Sequence, residues 1–140
     1  KGLNDFKDDA KLSYARVMLK TTVKKKGDFG TLHDFPFSYQ DLKDADASFE
    51  EQMKTGLKKQ NITITEWYPL SYSKVNGMSS ILTSYKRRLG DNPEAMVQLF
   101  QLHNNDRLHS ITLSYRITEK DKWEPMLKKV LNSIIINEIK

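Results

Sequence analysis

The chain contains no cysteine. That excludes a disulfide scaffold, a zinc–thiolate centre and a thiol nucleophile, and it leaves the compartment open. Histidine is nearly as scarce, with three in 140 residues. His33 falls in a loop, while His103 and His109 flank a turn at 104–107. With Asp106 between them they offer three ligands, one short of an ordinary structural metal site. Two exposed turn histidines is the preferred reading, so no metal and no cofactor is expected. No apolar run approaches the roughly 18 residues needed to span a bilayer. Catalytic patterns are missing as well. Asp8-Asp9 and Glu50-Glu51 are adjacent pairs that point apart, not an opposed acid/base dyad. No serine sits in a nucleophile-elbow pattern. Gly27-Asp28-Phe29-Gly30 lacks the spacing and the lysine of a phosphate loop. No enzyme is expected.

What is present fits one folded domain over 1–140, with a lead-in loop at 1–11 and a core at 12–136. The length is that of a single domain with a core of its own, and charged residues at 29% with aromatics at 10% suit a globular chain. The net charge is +5 and the pI about 9.3. Basic clusters stand at Lys24-Lys25-Lys26, Lys58-Lys59, Lys86-Arg87-Arg88 and Lys128-Lys129. Such clusters can bind phosphate backbones, but solvated side chains at strand and helix ends are the commoner case. Asp5, Asp8, Asp9, Asp41, Asp44, Asp46, Glu50 and Glu51 break up the positive field in the first half. Nucleic acid is therefore the weaker choice of partner. Asn61-Ile62-Thr63 matches a glycosylation acceptor, a triplet common by chance. The start at Lys1 rather than methionine reads as a processed or trimmed end and leaves export undecided.

Periodicity gives the elements. Residues 12–24 alternate, with Tyr14, Arg16, Met18 and Lys20 on one face and Ala15, Val17 and Leu19 on the other, as a strand does. A loop follows at 27–37. Over 38–60, Leu42, Ala45, Phe49, Met53 and Leu57 recur at helical steps. Ser48 with Glu51 has capping-box spacing, so a short helix is expected to yield to a longer one there. The period then drops to two over 62–73, where Pro69 predicts a bulge or an edge strand. Asn76-Gly77 is a hairpin signal. Further strands are expected at 78–88, 95–103 and 108–118, separated by Gly90-Asp91-Asn92-Pro93 and Asn104-Asn105-Asp106. The last helix opens with Asp121 as cap and Glu124 three residues on, carries Pro125 in its first turn, and presents Trp123, Met126, Leu127, Val130, Leu131 and Ile134. Ile134-Ile135-Ile136 reads as an extended tail.

Strand, helix, four-strand meander and helix make an α+β chain. Both faces of strand 95–103 are apolar, so cover is needed on both sides. The expectation is a three-layer α/β/α sandwich around an antiparallel sheet. Its core would hold Phe49, Met53, Leu57, Val97, Leu99, Phe100, Leu113, Trp123, Leu127 and Val130.

The run from 12 to 136 resembles the PsbP-like or Mog1-like fold. The likeness rests on Val75-Asn76-Gly77-Met78 leading into Ile81, Leu82 and Tyr85, on the Gly90 turn before the strand at 95–102, and on Leu131-Asn132-Ser133-Ile134 at the end. Members usually begin with a further strand or hairpin, and here only KGLNDFKDDAK precedes residue 12, as if that element were trimmed or absent. The resemblance implies a non-enzymatic binding or accessory domain, exported or associated with the cell envelope. A binder of nucleic acid or anionic surfaces is the alternative that the charge supports. The candidate partner surface is Trp67, Tyr68 and Tyr72 around Pro69, rimmed by Lys86, Arg87 and Arg88, since Trp and Tyr dominate binding hot spots. Aromatics on alternating strand positions usually face inward, so a place in the core is the preferred reading of the same cluster.

Overall fold

A computed structural model describes residues 13–35 and 37–140; the lead-in loop expected at 1–11 lies outside them. Five strands, β1 (Ala15–Val23), β2 (Ile62–Val75), β3 (Met78–Leu89), β4 (Ala95–Asn104) and β5 (Arg107–Arg116), form one sheet in the order β1-β5-β4-β3-β2. Every neighbouring pair is antiparallel. Helix α1 (Tyr39–Lys58) precedes β2, and helix α2 (Lys120–Ser133) follows β5 through a 3₁₀ turn at Ile117–Glu119. The chain is thus α+β, with the expected meander from β2 to β5 and β1 added beside β5.

Local chemistry accounts for the joints. The β2–β3 turn needs two left-handed residues, supplied by Asn76 at φ 48° and Gly77 at φ 81°. Strand β2 lies at the sheet edge and its register with β3 slips between Tyr68 and Ser71, the segment that contains Pro69. Both consequences expected of that proline are met: its missing N–H takes no ladder bond away from a central strand.

Two capping expectations fail. Helix α1 is unbroken at Ser48, whose hydroxyl instead accepts from Gln52 one turn later. The true box is Ser38 with Asp41: the Asp41 N–H donates to Ser38 Oγ at 3.1 Å, and the Ser38 N–H donates to Asp41 Oδ2 at 2.8 Å. A cap requires extended backbone, which Ser38 has (ψ 166°) and a residue inside a continuing apolar stripe does not. At α2, Asp121 is already helical, because the 3₁₀ turn delivers the chain in helical conformation, and Glu119 caps without a side-chain bond. Glu124 pairs with Lys120 at 3.6 Å and Lys128 at 3.0 Å instead of closing a box. Pro125 consequently stands in the second turn and costs one helical hydrogen bond.

Residues paired across antiparallel strands share a face. On one face Leu82, Phe100 and Ile111 form a row, with Leu102, Leu113 and Tyr115 around them, and Leu127 and Leu131 of α2 complete the cluster. On the opposite face Trp67 packs between Tyr85 of β3 and Phe49 of α1. Val97, Phe100, Leu113 and Leu127 are buried as expected. Phe49, Met53, Leu57, Leu99 and Trp123 are half-buried. Helix α1 packs on the edge strand rather than the sheet centre, and Leu42 is its buried residue. Val130 is a correction to the expected core: it is 41% exposed, and Met126 is 54% exposed. Leu127 and Leu131 follow one line along α2, and Met126 and Val130 each sit about 100° to its side, so the apolar stripe is narrower than its composition suggests. Beyond α2 the chain runs extended, and Asn104 grips it, donating to the Asn137 carbonyl at 3.0 Å and accepting from the Ile139 N–H at 2.8 Å.

Candidate binding surface

Segment 24–35 wraps one end of the sheet. Its backbone is tied to the 104–106 turn by Lys24 N–H to the Asp106 carbonyl, Phe29 N–H to the Asn105 carbonyl and Asn105 N–H to the Gly30 carbonyl, at 2.7 to 2.8 Å. Ser79 holds the next stretch, its N–H donating to the Leu32 carbonyl and its hydroxyl to the His33 carbonyl. Leu32 is fully buried and anchors the loop in the core. Held this way, the loop cannot hide its aromatic rings. Phe35 lies against Tyr72 with ring centres 4.0 Å apart, Tyr39 meets the same Tyr72 edge-on at 5.5 Å, and Phe29 and Phe37 flank His103 at 5.4 and 6.0 Å. The Phe37 N–H donates to Tyr72 Oη at 3.0 Å. Burial raises Tyr72 above the ordinary phenol range, with that N–H pulling the other way. Phe35, Phe37 and Tyr39 remain 42%, 46% and 79% exposed. The ammonium groups of Lys24 and Lys74 stand over Phe29 and Phe35 at 5.9 and 5.5 Å.

This aromatic end opens into a groove of about 560 Å³ between α1 and the sheet, lined by Phe37, Leu42, Ala45, Phe49, Leu70 and Ile81, with Asp41 and Asp44 at its rim. The carboxylate of Asp41 is held low by the backbone and hydroxyl of Ser38. A second groove, beyond the other end of α1, is polar and is lined by Tyr14, Arg16, Tyr85, Arg87, Ser114 and Arg116, among others.

The cluster expected from the sequence is divided. Trp67 and Tyr72 face α1, whereas Tyr68 faces the opposite side, where it hydrogen-bonds Glu66. All three are half-buried. The Trp67 indole N–H donates to Asp46 Oδ1 at 3.1 Å, and the Leu70 N–H donates to the same oxygen at 2.9 Å, so Trp67 serves to fasten α1 to the bulged edge strand. Tyr72 belongs to the exposed aromatic end. The basic run alternates: Lys86 pairs with Glu66 at 2.7 Å and Arg88 with Glu94 at 3.3 Å on the Tyr68 side, and Arg87 points to the α1 side. Phe35, Phe37 and Tyr39 were absent from the sequence-based choice, although four aromatics within 29–39 are more than a plain loop needs.

His103 and His109 lie on opposite faces, because His103 pairs with Leu108 and His109 with Leu102 across the hairpin. They cannot share an ion. His109 bonds Thr21 Oγ1 at 3.0 Å and Asn104 at 3.2 Å, and no group of three His, Asp or Glu among the described residues is placed to hold a metal. Burial lowers both imidazoles below the ordinary histidine value, aided at His109 by the charge of Arg107. Among the described residues no helix is long and apolar enough to cross a membrane.

No family model and no curated protein matches the chain. Among solved structures it is similar to a Pseudomonas aeruginosa protein of unknown function, with 10% identity, a TM-score of 0.46, and coverage of 90% of this chain and 86% of that one.

Proposed function

We propose that the chain works by binding rather than by catalysis, as an accessory domain that docks a partner protein on its aromatic end. The observation that carries this is the exposure of Phe35 and Phe37, on a loop that the sheet holds in place, and of Tyr39 at the start of α1, beside Tyr72. Rigid aromatic rings bring large contact area at small entropic cost, and they lead into a groove able to take an apolar side chain. Lys24 and Lys74 border the rings and Asp41 and Asp44 border the groove, so the matching surface is apolar at its centre and carries both signs of charge at its edge. With this reading go an α/β/α sandwich of the PsbP-like or Mog1-like kind, helices on opposite faces of one sheet, and a role outside the cytoplasm. Binding of nucleic acid by the basic clusters is less favoured, because Lys86 and Arg88 already carry carboxylate partners.

Photo-crosslinking in the native cells tests the reading. A photoreactive phenylalanine analogue at position 37 or 39 is expected to give one discrete heavier adduct, and the same analogue at Val130 none. Equal adducts from all three positions, or none from 37 and 39, would overturn it.

A further inference from the structure

The polar groove beyond the end of α1 has a composition that folding alone does not call for. It encloses about 360 Å³, and the described residues that line it include three arginines and no carboxylate. The strand register sets out their positions. Arg87 and Arg116 lie in one row across β3, β4 and β5, separated by the buried Ala95. Two strand spacings put their backbones about 10 Å apart. The next row runs Arg16, Ser114, Val97, Tyr85. Arg116 is committed to the protein: its Nη1 donates to the Pro93 carbonyl at 2.8 Å and its guanidinium lies 5.2 Å from the Tyr14 ring centre. Arg16 and Arg87 are different. Among the described residues Arg16 makes one weak contact, to Met18 Sδ at 3.3 Å, and Arg87 makes no ion pair, while its sequence neighbours Lys86 and Arg88 are both neutralised on the other face. Ser114 donates to Tyr14 Oη at 3.1 Å, which fixes the hydroxyls between the arginines.

We propose that this groove binds a small molecule bearing oxyanion groups, phosphate or carboxylate, met by Arg16 on one side and Arg87 on the other over the floor of Ser114. Guanidinium forks match the geometry of both groups, and low-dielectric walls strengthen the contact. The volume suits a metabolite rather than a polymer. This site is separate from the aromatic end and does not depend on it.

Titration of the whole chain, followed by amide and arginine Nε–H NMR, tests this with two probes, inorganic phosphate and succinate. The expected result is a saturable shift confined to Arg16, Arg87 and the Thr112–Arg116 strand, with the stronger probe identifying which oxyanion the site prefers. Arg87→Gln and Arg16→Gln should each weaken binding by roughly tenfold, the loss of one charge-assisted contact, and Arg88→Gln on the opposite face should leave it unchanged. Arg16 is exposed, so its variant keeps the fold even if Arg87→Gln does not. Absence of shifts with both probes would overturn the proposal. So would shifts spread evenly over the lysine clusters.

Discussion

Adjacent rows of the same strands carry different chemistry. On the α2 face, Leu82, Phe100 and Ile111 stand side by side; one residue along, on the α1 face, the row is Thr83, Leu99 and Thr112. The first face is sealed by Leu127, Leu131 and the buried Leu32. On the second, Tyr85 and Val97 are buried as well, but α1 packs chiefly on the edge strand, between an apolar groove at one end and an arginine-lined groove at the other. The contrast teaches that the α2 face is built from apolar side chains alone along this row, while the α1 face mixes apolar and polar ones and borders the exposed rings and cations. Polar groups are enclosed on that face too, where Ser114 and Arg116 are held by Tyr14 Oη and the Pro93 carbonyl, since a buried polar group is costly unless it is hydrogen-bonded.

The largest expected effect sharpens this contrast. Leu102→Ala or Leu113→Ala on the α2 face should lose about 2–5 kcal/mol in chemical denaturation, because both side chains are almost fully enclosed. A smaller loss than that from Leu57→Ala on the α1 side would break the comparison. Next comes Asp46→Ala. It strands the Trp67 and Leu70 donors, at an expected cost of about 1–3 kcal/mol, and Trp67 fluorescence should report loosening of α1 from the sheet. Asp46→Asn, which keeps an acceptor oxygen, should lose less. Val130→Ser is expected to stay within about 0.5 kcal/mol of wild type by thermal unfolding, as an exposed substitution does.

The smallest effect is a pH dependence. Burial lowers His103 and His109 in the folded chain, so the unfolded chain takes up protons first as pH falls below about 6.5. Stability should be fully present above that value, decline below it, and level off once the folded imidazoles protonate as well. His103→Gln should flatten part of the slope in unfolding curves recorded across this range. An unchanged slope would place the proton uptake elsewhere.

The strands were readable because period-two alternation and the Asn76-Gly77 signal reflect local sterics that tertiary packing did not override. Pro69 announced its own bulge and edge position for the same reason. Ser48 and Asp121 misled because capping-box spacing is a pattern of side chains, while a cap is a backbone state; only Ser38 has that state with a partner in place. Val130 misled because hydropathy does not say how far round a helix the sheet reaches. Of the site, Tyr72 and Arg87 were named from sequence, but the company they keep was not. Alternation sends Tyr68 and Lys86 to the far face once register is known. The approach of Phe35 and Phe37 to Tyr72 depends on long-range ties from 24–35 to two distant turns, which no local pattern encodes.

The claim at the centre is that the aromatic end serves contact and not folding. Chemical denaturation of the Phe37→Ser/Tyr39→Ser double variant, beside Leu102→Ala, addresses it directly. The expected result is a loss for the double variant of less than about 2 kcal/mol, below that of the single core truncation. A loss equal to or larger than that of Leu102→Ala would show that the rings hold the fold together, and would contradict the claim.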